Sequence, residues 1–223
     1  MPIAPPPAPP APLTDAFFTT WKDEYDTTYR RAYFLTTNGL VSYADLSTTG
    51  TWEGGGNPLP IAKFWKAYAL LGTHPAAAAV VVNGLPWFIT DDHTVLKPHE
   101  NATAQTWATK PPTPAQLDAL FTPVTPQARS ATACLELSEG DKAVVFSDNG
   151  TTYTLANLQT STDPSPKPQR LPFTVNAALA VRLDQEEAAY LLDGTTWRHT
   201  TPNLHKDPET GGPDWSKFSL DLT

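Results

Sequence analysis

The sequence predicts an all-β fold in which four similar antiparallel sheets surround an axis as a four-bladed β-propeller. Three observations lead to this prediction. A unit of short apolar strands and tight turns recurs four times, its strands are rich in Ala, β-branched and aromatic residues, and Pro-rich segments separate the copies. Because four such units can close a ring, the arrangement leaves no long sheet edge free to pair with another chain.

The clearest evidence for the repeat comes from the last two copies. The stretch "DGTTWRHT" (193–200) matches "NGTTYTLA" (149–156), and upstream of it residues 176–192 align with residues 130–146 without a gap, at an offset of 46 residues. Shared turn chemistry would explain the matching glycines alone. It would not explain the upstream match, so the pair indicates an internal repeat.

Two further copies complete the chain. One begins "PAAAAVVVNGLPWFI" (75–89), and the other begins "DAFFTTW" (15–21) and resumes at "RAYFLTTNGLVSY" (31–43). Pro-rich returns between the copies are expected to hold short helical turns. We therefore predict a disordered Pro-rich tail over residues 1–13 and one propeller domain over residues 14–223. The predicted blades cover residues 15–74, 75–129, 130–175 and 176–223.

Two other architectures are alternatives to the propeller. A solenoid needs a nearly constant period and polar end caps, whereas these units vary in length and the terminal ones look no more polar than the middle ones. A single β-sandwich stays open as an alternative.

Composition limits the classes of partner and site. A net charge of −8 and a pI near 5.0 disfavour binding to nucleic acid or to anionic membranes. Cys134 is the single cysteine, so neither an intrachain disulfide nor a Cys-rich zinc site can form. No apolar run approaches the roughly 18 residues of a membrane span. Residues 1–13 lack the features of a secretory signal, and we expect a cytoplasmic protein.

The four units resemble the hemopexin-like repeat. The fourth continues "AAYLLDGTTWR" (188–198), and "IAKFW" (61–65) is similar to the outer return of that family. The usual disulfide between first and last blades is missing, so ring closure is expected to depend on packing of Trp215 and Phe218 against the first blade. The openings that carry the resemblance are "DAFF" (15–18), "PAAA" (75–78), "SATA" (130–133) and "NAAL" (176–179).

The resemblance implies a tunnel along the axis, in which backbone carbonyls of the opening strands hold a cation or water. Small Ala side chains suit four strands that converge on a narrow axis, and packing alone also explains them. No cofactor is expected to be required, and a cation in this tunnel is the one candidate. Its predicted ligands are the backbone carbonyls of Ala16, Ala76, Ala131 and Ala177.

The predicted function is that of a non-catalytic binding module of hemopexin-like type. Carboxylates occupy the loop between the first two strands in two units, at residues 23–26 and 184–187, and place negative charge on one rim. A cationic small ligand such as a polyamine suits that charge, as in plant seed albumins of this fold, and a solvated loop is the alternative. A metal ion or a protein partner at the tunnel mouth is also compatible. The predicted binding residues are Asp15, His74, Ser130, Asn176, Asp184, Glu186 and Glu187.

Two other classes of function stay open. The sequence contains no metalloprotease, hydrolase or nucleotide-binding motif. An enzyme would therefore work without a cofactor, as a cyclase or lyase with an Asp or Glu and a His at the tunnel mouth. A lectin would instead use exposed aromatic residues of the returns, namely Trp52, Trp107 and Trp215. The oligomeric state is left open.

Overall fold

The computed structural model of the chain shows four small antiparallel sheets in a ring, which confirms the predicted all-β, four-bladed β-propeller. Among the residues that it describes, no helix is long and apolar enough to cross a membrane. The described residues are 3–9, 12–55, 57–64, 76–82, 84–90, 94–96, 121–123, 131–137, 142–157, 167–203, 208–209 and 214–222.

Each blade begins with its innermost strand and continues outward in chain order. The innermost strands of the four blades contact one another around the axis. The strands of blade one are β1 (Leu13–Lys22), β2 (Thr28–Thr36), β3 (Leu40–Leu46), β4 (Trp52–Glu53) and β5 (Leu59–Pro60), where both β4 and β5 pair with β3.

The other three blades have four strands each. Blade two contains β6 (Ala76–Val82), β7 (Leu85–Thr90), β8 (Thr94–Leu96) and β9 (Phe121–Pro123). Blade three contains β10 (Ala133–Glu136), β11 (Lys142–Ser147), β12 (Thr152–Asn157) and β13 (Gln169–Arg170). Blade four contains β14 (Ala177–Leu183), β15 (Glu186–Asp193), β16 (Thr196–Asn203) and β17 (Ser219–Leu222). A short 3-10 turn at Ile61–Lys63 lies in the return after blade one, as predicted, and a second one, at Trp215–Lys217, lies within blade four between β16 and β17.

Four hydrophobic clusters, one between each pair of neighbouring blades, close the ring. Phe17 and Phe88 meet edge to face between blades one and two, with their ring centroids 5.4 Å apart. Trp87 packs with Cys134 between blades two and three. Blades three and four share a cluster that contains Leu191, and blades four and one meet through the side chains of β14 and β1. Each blade is thus buried on both faces, which compensates for its small size.

The turn between β11 and β12, which the repeat predicted, packs closely against a neighbouring segment of the chain. Gly150 lies at the turn between β11 and β12 with a φ of 78°, a conformation that favours glycine. A Cβ atom there would lie 2.1 Å from the backbone oxygen of Val175. The matching Gly194 has a φ of 62° and open space around it. The two turns therefore share a backbone conformation, but only Gly150 is also required by packing.

The register of the repeat differs from the ungapped alignment. The backbone N–H groups of Cys134 and Ala178 reach the same carboxylate at the axis, which equates positions 44 residues apart. In the second strands, Phe146 and Leu192 pair with the corresponding residues Ala133 and Ala177, and they are 46 residues apart. The β14–β15 hairpin is thus two residues longer than its counterpart. The ungapped match was wrong for the first strands, because both registers place small apolar residues in them.

The chain termini close the ring differently from the prediction. Phe218 is buried, but its ring packs against Tyr153 with centroids 6.4 Å apart, so it joins blades three and four instead of contacting blade one. The side chain of Trp215 lies outside the described part of the structure. The Pro-rich segment 3–9 lies across blades one and four, where Ile3 joins their hydrophobic cluster. Within the predicted tail of residues 1–13, the described residues 3–9 therefore contact the folded blades through apolar surface and aromatic donors.

Candidate functional site

The side chain of Asp15 lies at the axis, where it links the four innermost strands. Its Oδ1 accepts the backbone N–H groups of Ala16 at 2.8 Å and Ala178 at 3.1 Å. Its Oδ2 accepts those of Ala79 at 2.8 Å and Cys134 at 2.9 Å. One donor comes from each blade, so a single carboxyl group ties the ring together.

Asp15 has no solvent-exposed surface. Burial raises the pKa of its carboxyl group well above the usual value, and the four N–H donors act in the opposite direction. Because both oxygens already accept two hydrogen bonds, the group serves the structure, and the prediction that Asp15 binds a ligand finds no support in this geometry.

The predicted cation site consists of backbone carbonyls of the innermost strands near the axis. At the level of Asp15, the innermost strands direct N–H donors inward, and these suit a negative group, which the chain itself supplies. The structure places Ala16, Ala131 and Ala177 in the interior and Ala76 partly so. Among the described residues, no group of three or more His, Cys, Asp or Glu side chains could hold a metal ion. A cation held by carbonyls of the four Ala residues stays a prediction.

The predicted binding residues that the structure describes lie in different parts of the fold. His74 and Ser130 lie outside the described residues. Asn176 supports a turn, where its Oδ1 accepts the backbone N–H of Gly194 at 2.9 Å. Glu186 is exposed at the start of β15. Glu187 lines a pocket between blades three and four.

The two acidic loops are paired within the chain. In the first, Lys22 contacts Asp26 at 2.6 Å, and Asp23 accepts backbone N–H groups of the loop itself. In the second, Asp184 lies 3.5 Å from Arg30 of blade one. The charge that predicted a cation-binding rim is therefore partly neutralised by neighbouring basic side chains.

A pocket of about 200 Å³ opens between blades three and four. One wall is the end of β10, with Glu136, and the others come from β14, β15 and β16. It lies near the carboxyl ends of the innermost strands, on the side of the β14–β15 turn. The polar side chains in its lining include Glu136, Arg182, Glu187, His199 and Thr201.

Arg182 bridges two carboxylates of the pocket. Its Nε donates to Glu187 Oε1 at 2.7 Å, and its Nη1 lies 3.4 Å from Glu136 Oε1. The side chain of Glu136 is 17 % exposed, whereas that of Glu187 is 53 % exposed. Burial raises the pKa of Glu136 from 4.5 to about 7; Arg182 lowers it and Glu187 raises it. Glu136 therefore exchanges its proton near neutral pH.

His199 completes the polar lining from β16. It pairs in register with Tyr190 of β15, and the two rings meet edge to face with centroids 5.7 Å apart. A carboxyl group that titrates near neutrality, a guanidinium group and an imidazole thus line one pocket. Such a set can accept a proton, stabilise a cation at the carboxylates or contact an anionic group through Arg182.

Sequence reasoning missed Glu136 and Arg182. Both lie in short apolar strands, in "ACLEL" (133–137) and "LAVRL" (179–183), where a charged side chain is unusual. That departure from the apolar pattern was the available signal. It could not indicate that the two charges meet, because their proximity depends on how neighbouring blades pack.

Of the aromatic residues predicted to bind sugar, Trp107 and the side chain of Trp215 lie outside the described structure. Trp52 donates its Nε1–H to the backbone oxygen of Ala4 at 2.8 Å and packs on Phe18.

No family model matches the chain, and no curated protein matches it. The assignment of a four-bladed propeller with a polar pocket between two blades therefore depends on the geometry alone.

Proposed function

We propose that the protein is a non-catalytic binding module of hemopexin-like type, and that it takes a small cationic ligand in the pocket between blades three and four. The observation that carries this proposal is the state of Glu136. Its carboxyl group is mostly buried, its pKa is raised to about 7, and its contact with Arg182 is long, at 3.4 Å. A buried carboxyl group with this environment is stabilised as a carboxylate when a second cation approaches.

Charge and size define the ligand class. The chain carries a net charge of −8, and the pocket places Glu136 and Glu187 around one Arg182. A volume of about 200 Å³ accommodates a small amine or diamine.

Binding of a cation should be linked to release of a proton. At pH 6 Glu136 is mostly protonated, and a cationic ligand would have to expel that proton. At pH 8 the carboxylate is already formed. The affinity is therefore expected to increase as the pH rises through 7 and to level off above it.

A thermal-shift screen tests the proposal. 1,4-Diaminobutane, spermidine, calcium chloride, haem and simple sugars would be added at pH 8, with sodium chloride at matched ionic strength as the control. A diamine at a hundredfold excess over its Kd should raise the Tm of the wild type by about 5–10 °C. The variant Glu136→Gln should lose the shift, and Glu53→Gln, a change at an exposed Glu of blade one, should keep it. If no amine raises the Tm, or if Glu136→Gln keeps the full shift, the proposal is wrong.

A second candidate function is that of a cofactor-free enzyme of cyclase or lyase type, and the carboxyl group of Glu136 favours this function as well. A carboxyl group with a pKa of about 7 can both donate and accept a proton at neutral pH, and Arg182 can hold an anionic part of a substrate. Proton NMR of the screened compounds after incubation separates the two functions. Conversion of a compound by the wild type but not by Glu136→Gln would establish an enzymatic function. Binding without conversion would establish a non-catalytic binding module.

A further inference from the structure

A groove between blades one and four holds the N-terminal segment 3–9 by its backbone oxygens. Tyr190 donates its hydroxyl hydrogen to Ile3 at 2.7 Å, Trp52 donates its Nε1–H to Ala4 at 2.8 Å, and Trp197 donates its Nε1–H to Pro7 at 3.1 Å. The N–H of Ala4 also donates to the backbone oxygen of Gly50 at 3.0 Å. Three aromatic side chains thus donate hydrogen bonds to the backbone carbonyls of one Pro-rich segment.

The two buried residues of the segment, Ile3 and Pro6, lie three positions apart. Ala4 and Pro9 are half-buried, whereas Pro5, Pro7 and Ala8 are exposed. A polyproline II helix has three residues per turn, so every third side chain points in the same direction. Two of the hydrogen-bonded carbonyls, those of Ala4 and Pro7, have the same spacing. The segment therefore presents one apolar edge and one row of carbonyls to the groove.

The chemistry of the groove matches this kind of ligand. Proline has no backbone N–H, so its carbonyl is its one hydrogen-bonding group, and indole or phenol donors on an apolar surface can satisfy it. The aromatic rings are themselves held in place: Trp52 packs on Phe18, and Trp197 lies against Phe34 with ring centroids 6.2 Å apart. A preformed aromatic groove and an extended proline-rich ligand define a common mode of peptide recognition.

We propose that the aromatic groove formed by Trp52, Tyr190 and Trp197 is a binding site for proline-rich segments of partner proteins, with residues 3–9 as a competing ligand in the same chain. The side chains of this segment carry no polar group, so recognition depends on carbonyls and on an apolar residue at every third position. Other proline-rich peptides with that spacing satisfy the same contacts. Because the tethered segment occupies the groove, a partner segment must have enough affinity to displace it. This site does not depend on the pocket between blades three and four.

The test uses the full chain and a fluorescent peptide with the sequence of residues 1–12. In the wild type, the tethered segment competes at an effective concentration of about 1 mM. A full-length variant with Ile3→Asp and Pro6→Asp weakens the segment in cis without changing the groove. For a peptide with a Kd of about 10 µM, the variant should bind about a hundredfold more tightly than the wild type. A peptide carrying the same two substitutions is the negative control and should bind neither protein.

A second comparison identifies the groove. In the opened variant, Trp197→Phe keeps an aromatic ring but removes the donor to the peptide, and it should weaken binding about fivefold. The matched control is Trp21→Phe in blade one, where Trp21 stacks on Tyr29 and contacts no part of the segment that the structure shows. Circular dichroism would establish that each variant is folded. In case the doubly substituted chain does not fold, Pro6→Asp alone should also admit the peptide, because Pro6 is buried in the tethered segment and its substitution leaves the groove unchanged.

Three results would overturn the proposal. The first is peptide binding that is equally weak in the folded wild type and in both opened variants. The second is an affinity that Trp197→Phe and Trp21→Phe lower equally. The third is a concentration-dependent dimer of the wild type that the substitutions in the segment abolish, since this would assign the groove to the segment of a second copy.

Discussion

Replacing Glu136 by Gln should stabilise the protein above pH 7 and have little effect at pH 4. Burial raises the pKa of Glu136 from 4.5 to about 7 in the folded protein. Between these values the folded state holds a proton that the unfolded state has released, so the free energy of unfolding falls as the pH rises from 4.5 to 7. Gln carries no titrating group and removes this loss.

The expected size follows from the two pKa values. A tenfold change in an ionisation constant corresponds to about 1.4 kcal/mol, so a rise from 4.5 to about 7 costs the wild type about 3 kcal/mol above pH 7. The side chain is 17 % exposed, so water screens little of this cost. The stability of Glu136→Gln relative to the wild type should therefore increase by about 3 kcal/mol between pH 4 and pH 8.

Urea denaturation at pH 4, 6 and 8 measures the difference, with the slope of the transition monitored to verify that both proteins unfold in the same way. The control is Glu53→Gln, a change at an exposed Glu of blade one. A relative stability of Glu136→Gln that does not change between pH 4 and pH 8, or an equal gain in Glu53→Gln, would contradict a raised pKa of Glu136.

Three further predictions concern stability and are checked by chemical denaturation. Asp15→Asn places an amide NH₂ against backbone donors, so two of the four buried N–H groups lose their acceptor and the free energy of unfolding should fall by about 2–6 kcal/mol. The control Asp221→Asn, at an exposed position, should lower it by under about 0.5 kcal/mol. Equal costs would contradict the axial role. Gly194→Ala should cost about 1 kcal/mol from its positive φ, and Gly150→Ala roughly a further 1–3 kcal/mol from the contact with the chain at Val175; a smaller loss in Gly150→Ala would contradict that contact. Arg31→Lys should cost about 1 kcal/mol, because the bonds of 2.6 and 2.8 Å to Asp45 and the stacking on Tyr43 need a planar guanidinium; an unchanged stability would show that the pair contributes nothing.

The propeller could be predicted because its evidence is local and repeated. Strands such as "AAAAVVV" (76–82) and turns at Gly150 and Gly194 recur in one order, and closure of four copies follows from the need to bury both faces of each sheet. The two-residue difference in the β14–β15 hairpin could not be predicted. Ala-rich strands fit either register, and the choice depends on which N–H groups reach Asp15.

The candidate site was less accessible from sequence. Asp15 was noted as a residue near the axis, but its four donors come from strands up to 163 positions away in the chain. Glu136 and Arg182 meet across two blades, and the pKa of Glu136 depends on burial that only the packed ring provides. The composition of residues 1–13 predicts a disordered tail. Composition does not reveal that Tyr190 and two Trp residues supply donors to its carbonyl groups.

Glu136 is proposed here as a titrating group at the wall of a cation-binding pocket. Carbon-13 NMR of the Glu carboxyl carbons, with Glu136→Gln used to assign the resonance, measures its midpoint directly. We expect a midpoint near pH 7 in the free protein and a clearly lower one when 1,4-diaminobutane is present, because a bound cation stabilises the carboxylate. A midpoint in the usual range of Glu, or one that the diamine leaves unchanged, would contradict the account.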